Sequence, residues 1–277
     1  MRRLEDVSHF FLGRSEPDPR PDSPPVVQSK LTGPRIAVLT SMARGMPGPL
    51  VAVGMAALLA KAGKKVVVAE GSSQVFGVTF AVGLHRSHKP EKAAIQKVAG
   101  VDLLSQPLSG ASLPRYYLDS REYQSLREEL RTYDLICVHL EERDVGRVSA
   151  EMEVPHEAVL VVPDDDLDAQ RKAYRMIKQL AVWNPFVRIA LITTGNPLGE
   201  RRLFRVHEAT RHFLQRECLD LGRLSDECSL PSVFLSSAVL DSGWKEVQRH
   251  LGPLVDRWWV SGHQPPLAVS AKPSWLG

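Results

Sequence analysis

The chain has 277 residues, 43% of them hydrophobic and 24% charged, which suits one large α/β domain with appendages or two small domains and excludes a wholly disordered chain. A net charge of +3 with mixed signs carries no case for nucleic acid, and the longest apolar run, near residues 50–60, falls well short of the roughly 20 residues that span a bilayer. Three cysteines, Cys137, Cys218 and Cys228, form no CxxC pair, so no disulfide framework is expected; with no signal peptide at its head, the chain reads as cytoplasmic.

Residues 1–14, MRRLEDVSHFFLGR, read as a short amphipathic helix. At about 100° per residue Leu4, Val7 and Phe11 share a face, flanked by Phe10 and Leu12. A helix this short is marginal alone in water. Its stripe of Leu4, Val7, Phe10, Phe11 and Leu12 is therefore read as a peptide that docks into a protein partner, the alternative being that it folds back on its own domain. Residues 15–34, opening SEPDPRPDSPP, form an extended linker too poor in apolar residues to bury a core.

From Arg35 the pattern alternates strand and helix, which predicts a single doubly wound, mostly parallel sheet with helices on both faces over residues 35–260, followed by a flexible tail at 261–277. Strands are predicted at 36–40, 66–70, 134–139, 158–162, 187–193 and 232–236, each a Val/Ile/Leu-rich run of the kind buried on both faces of a parallel sheet. Helices are predicted near 50–62, 120–132, 166–181, 200–217 and 242–259, with N-caps drawn from Ser120, Asp164 to Asp166, and Asp241. The stretch 71–119 is the least legible. In the last helix Trp244, Val247, Leu251, Val255 and Trp258 share a face, and Pro253 is expected to kink or split it. That face is expected to dock on the domain's own sheet; its few basic residues are offset by Glu246 and Asp256, so a membrane surface is the weaker reading.

The stretch IAVLTSMARGMPGPLVAVG, residues 36–54, has the layout of a phosphate-binding loop: a strand, a loop with Gly45 and Gly48, then an apolar helix. The place of the phosphate-gripping lysine is held by Pro49, and Leu50 stands where a hydroxyl would meet magnesium. Pro47 and Pro49 have no N–H to offer a phosphate, although Pro49 suits the start of a helix.

Other chemistry-bearing residues read as structural. His85 and His88 sit in a basic, solvent-facing loop, and His207, His212, Cys218 and Cys228 lack ordinary zinc spacing. Asp164, Asp165 and Asp166 precede a helix, where carboxylates cap N–H groups. Glu141, Glu142 and Asp144 read as a solvated turn after a strand. No metal site and no catalytic constellation stands out.

Beyond the loop, LLAKAGKKVVVAEGSS resembles the first βαβ unit of the MinD/ParA family of deviant Walker-A ATPases, whose fingerprint runs K-G-G-x-G-K-S/T-S/T, then A-x-x-G-x-x-V-x-x-x-D. Aligned without gaps, Arg44 falls on the family's signature lysine, Gly45 and Gly48 on loop glycines, Pro49 on the phosphate lysine, and Leu50 on the magnesium-binding hydroxyl. Glu70 replaces the aspartate that ends the second strand. YDLICVHLEE resembles the next motif, with His139 in place of the metal-side aspartate and no Pro-Gly turn after it. VLVVPDDDLDAQRKAYRMIKQLAVWNPFVRIALITTGN is similar in spelling to the flagellar-number regulator branch, FlhG. Thr194 falls near the position of an adenine-contacting asparagine. The resemblance covers roughly residues 35 to 240.

The resemblance implies a cytoplasmic positioning or assembly factor. Losing the lysine, the hydroxyl and an aspartate removes three charge-assisted contacts worth about 1.5–3 kcal/mol each, which implies a pseudo-ATPase with no cofactor. The alternative is an ATPase switch that binds ATP and Mg through an unconventional loop. A homodimer, and a short partner-activating helix ahead of the first strand, are likewise carried by the resemblance alone. Arg44 reads as a surface residue, or else as a contact to an acidic group on a partner or second subunit.

Overall fold

Short runs dominated by Val, Ile, Leu and Ala build an eight-stranded sheet in a computed structural model that describes residues 34–42, 47–71, 78, 94–98, 100–105, 124–142, 157–164, 166–195, 200–224 and 239–262. The N-terminal peptide 1–14 and its linker, Arg44, Gly45, His85, His88, Ser120, Asp144, Cys228, the strand expected at 232–236 and the tail from 263 lie outside the described residues. The strands are β1 (Arg35–Ser41), β2 (Val66–Glu70), β3 (Ala94–Val98), β4 (Val101–Ser105), β5 (Leu135–Glu141), β6 (Glu157–Pro163), β7 (Arg188–Thr194) and β8 (Leu219–Leu224). The helices are α1 (Pro47–Lys61), α2 (Gln124–Leu130), α3 (Leu167–Trp183), α4 (Glu200–Leu214) and α5 (Val239–Gly262).

The sheet order is β3-β4-β2-β5-β1-β6-β7-β8, parallel throughout except for the antiparallel pair β3–β4. The central strands are buried on both faces, which is why their sequences read as continuous apolar runs rather than alternating ones. One face is covered by α1 and α5, through Leu50, Met55, Leu251 and Trp258 among others. The other is covered by α2, α3 and α4, through Leu130, Ala173, Ile177 and Val206. The domain is doubly wound, as expected.

Three strands escaped the sequence pattern. β3 and β4 form an edge hairpin in the illegible stretch, and the outermost strand carries Gln96 and Lys97 on exposed positions, as an edge strand guarded against further pairing does. β8 is the opposite edge; Asp220, Gly222 and Arg223 interrupt its apolar run, and its register with β7 slips between Leu191 and Ile192.

Asp166 caps α3 as expected, its carboxylate accepting the N–H groups of Asp168 and Ala169 at 2.8 and 3.0 Å. Asp164 is not a cap: it is buried at 1% exposure and accepts a hydrogen bond from the Arg223 guanidinium on β8. Asp241 is not a cap either, because α5 already begins at Val239. Nor does Pro253 split α5, which runs through it and ends two residues past the expected boundary at 260. The expected apolar face of α5 holds at four of its positions: Val247, Leu251, Val255 and Trp258 are buried against α1 and β8, joined by Leu254, while the Trp244 side chain lies outside the described ones.

Candidate functional site

In an open parallel sheet, ligands meet the carboxyl ends of the strands. Here β1, β5 and β2 lie side by side, with Leu39, His139 and Glu70 in register. Side chains alternate between faces along a strand, so His139 and Glu70 share the α1 face with Cys137 and Val68. The amino end of α1 sits directly above them.

His139 and Glu70 engage one another. The imidazole Nδ1 lies 3.0 Å from the Glu70 Oε1, with the two side chains 4% and 7% exposed. The second carboxylate oxygen of Glu70 accepts the backbone N–H of Val78. With Nδ1 turned to the Glu70 carboxylate, Nε2 faces α1. There Nε2 packs against Gly48: a Cβ on that glycine would lie 2.9 Å from Nε2 and 2.9 Å from the Cβ of Ser41. Only glycine fits this approach without displacing the ring. Gly71 is held as tightly, its N–H donating to the His139 carbonyl at 2.9 Å, and a Cβ there would collide with Leu140.

The helix above is equally committed. Its first four residues are Pro47, Gly48, Pro49 and Leu50, so only two backbone N–H groups point out of an end that ordinarily presents four. Leu50 is buried at 1% exposure within the apolar core. The structure therefore brings Gly48, Pro49, Leu50, Glu70 and His139 into one cluster. Sequence comparison marked Glu70 and His139 as departures from a motif; it held no signal that the two would pair.

Among the described residues further internal pairs lie at this carboxyl edge. The Asp164 N–H donates to the Thr194 carbonyl at 2.8 Å, and Gln170 Nε2 donates to the Asp164 carbonyl at 2.9 Å. Glu142 lies 3.8 Å from Lys172 and 3.7 Å from Arg175, an ion-paired turn at the surface. Cys137, one turn of the pleat below His139, is fully enclosed, and burial pushes its thiol up to about 12, which leaves it protonated and inert at neutral pH. Among the described residues no three His, Cys, Asp or Glu side chains gather as metal ligands, and no helix is long and apolar enough to cross a membrane.

No protein-family model and no curated protein matches the chain. Solved structures do. The MinC:MinD cell division protein complex of Aquifex aeolicus aligns with a TM-score of 0.58 at 17% identity, over 86% of this chain and 100% of that one. A ParA family ATPase from Chlorobium tepidum TLS aligns at 0.54 and 16%, over 81% and 97%. Cobyrinic acid a,c-diamide synthase from Mycobacterium smegmatis, with an ATP analog and magnesium bound, aligns at 0.54 and 14%, over 85% and 100%. At these identities the likeness concerns architecture: the chain has the fold of the MinD and ParA P-loop ATPases.

Proposed function

We propose that this chain is a catalytically inactive MinD/ParA-like protein, a cytoplasmic regulatory or scaffold subunit in the positioning or assembly of a larger machine. One observation carries the reading. The His139 ring, held by Glu70, packs against Gly48 at the base of α1, the position from which a phosphate-binding loop would serve a nucleotide and its metal. Neither a polyphosphate nor magnesium fits these residues: Pro47 and Pro49 remove half of the donors, Leu50 offers no hydroxyl, and Glu70 and His139 already engage each other. Three missing charge-assisted contacts, at even half of about 2 kcal/mol each, weaken binding by about a hundredfold or more.

Isothermal titration of the full chain with ATP and magnesium tests this. The expected result is no hydrolysis and a dissociation constant no tighter than roughly high micromolar; a magnesium-dependent constant of a few micromolar refutes it. A second reading, a nucleotide-binding switch with an unconventional loop, is favoured by one fact: similar structures, including the Mycobacterium smegmatis synthase, hold ATP analogs on this fold. The same titration separates the two.

For partners, the similar Aquifex aeolicus MinD is seen in complex with MinC, and we place this chain's partner contact in the stripe of Leu4, Val7, Phe10, Phe11 and Leu12. Arg44 and a homodimer contact belong to the same proposal. The face of α5 that would meet a membrane is buried in the domain, which favours protein over lipid at that helix.

A further inference from the structure

A second concave site lies at the opposite end of the sheet. Glu70 ends β2 at the loop side, whereas Lys65 precedes it at the other, about 15 Å away for a five-residue strand. There the last turn of α1, the α1–β2 turn, the β3–β4 turn and the end of α2 surround a groove of about 600 Å³, within the range of small-molecule sites. Ala57, Ala60 and Val66 give it an apolar floor, and Tyr133 closes one side.

Among the described residues four lysines line this groove: Lys61, Lys64, Lys65 and Lys97. Cations at a helix carboxyl end offset its dipole, but that does not explain their convergence. The terminal carbonyls of α1 at Leu58, Leu59 and Ala60 already accept the N–H groups of Ala62, Lys64 and Gly63 at 3.0 Å each. Lys97, moreover, comes from the edge strand β3, not from α1. The lining carboxylates are Asp102 and Glu129. Asp102 accepts from the Tyr133 hydroxyl at 3.1 Å and lies 3.8 Å from Lys97. Lys64 stands over the Trp259 ring, 5.5 Å from its centroid, a cation–π contact to a residue of α5. Among the described residues, four lysines against two carboxylates leave the lining with a formal surplus of two positive charges.

We propose that this groove binds a small phosphorylated anion carrying two or more negative charges. The choice of phosphate over carboxylate follows from the donors. Among the described residues the lining cations are all lysines, point-like ammonium groups that come from separate elements, and a phosphate group concentrates up to about two charges on oxygens that accept from several directions, where a carboxylate carries one. The apolar floor takes the uncharged body of the ligand. The site is separate from the Gly48–His139 cluster and does not depend on the reading of that cluster.

The test is calorimetric titration of the full chain with inorganic tripolyphosphate at low salt, with citrate as the carboxylate comparison. The expected result is one site per chain, binding that weakens as salt is raised, and citrate bound at least tenfold less tightly. Lys65→Gln with Lys97→Gln weakens tripolyphosphate by about tenfold or more, since exposed charge contacts contribute up to about fivefold each. Lys97 is 73% exposed, so Lys97→Gln alone, with an unchanged melting curve, serves if the double variant is unstable; it is expected to weaken binding about threefold to fivefold. Unchanged affinity in both variants overturns the proposal, as does absence of binding at millimolar probe. Affinity lost in Gly48→Ala but kept in the lysine variants also overturns it, by placing the phosphate at the loop.

Discussion

Replacing His139 by alanine isolates what the buried pair beneath α1 contributes. His139 and Glu70 are 4% and 7% exposed, so the variant deprives a buried carboxylate of its imidazole partner while it keeps the Val78 N–H. Removing one partner of a buried pair costs about 3–5 kcal/mol, against a small or even favourable change when both are replaced by apolar groups. The retained hydrogen bond, and water entering the space the ring vacates beside Gly48, put His139→Ala near the lower bound, about 3 kcal/mol. For a domain of this size that corresponds to a fall in Tm of about 6–12 °C. Urea unfolding followed by far-UV circular dichroism, on His139→Ala, Glu70→Gln and the double variant, gives the coupling between the two, expected at about 1–3 kcal/mol. A loss below about 1 kcal/mol, or strictly additive effects, refutes a pair that holds the base of α1.

Pro49→Lys with Leu50→Thr is expected to leave ATP–magnesium binding undetectable by calorimetry, because Glu70 and His139 remain engaged with each other; micromolar binding by this variant contradicts that. Trp258→Ala should cost about 3–5 kcal/mol in chemical unfolding, since the ring is 3% exposed between α1 and the sheet, and the unaltered chain should not pellet with anionic vesicles. Burial raises the Cys137 thiol from 9.0 to about 12; the folded state thus favours the protonated form, and this stabilisation is whole below about pH 9 and lost as pH rises from there towards 12. The matching measurement is thiol labelling at pH 8, where Cys137 should react only after unfolding. Deleting residues 1–14 should leave Tm within about 1 °C while removing capture of a protein partner; a large drop in Tm with capture retained assigns the segment to the core.

The central strands were legible in the sequence because each is buried on both faces, so β1, β2, β5, β6 and β7 announce themselves as runs of Val, Ile and Leu. Asp166 was legible because an N-cap bonds within three residues of itself. The apolar stripe of α5 was legible because helical period places Val247, Leu251, Val255 and Trp258 on one side whatever covers them. The edges were not. β3 and β8 are the outer strands among the described residues and carry Lys97, Asp220 and Arg223 where a central strand would carry aliphatics. Asp164 reads locally as a cap, and only the β6–β7–β8 pairing brings Arg223 to it from 59 residues away. Glu70 and His139 are 69 residues apart and meet because β2 and β5 are parallel neighbours in one register. The four lysines of the far groove converge from a helix end, a turn and an edge hairpin. Periodicity and capping act within a few residues and so are written in the sequence; side-chain partners across strands depend on sheet order and register, which the packing of the whole domain selects.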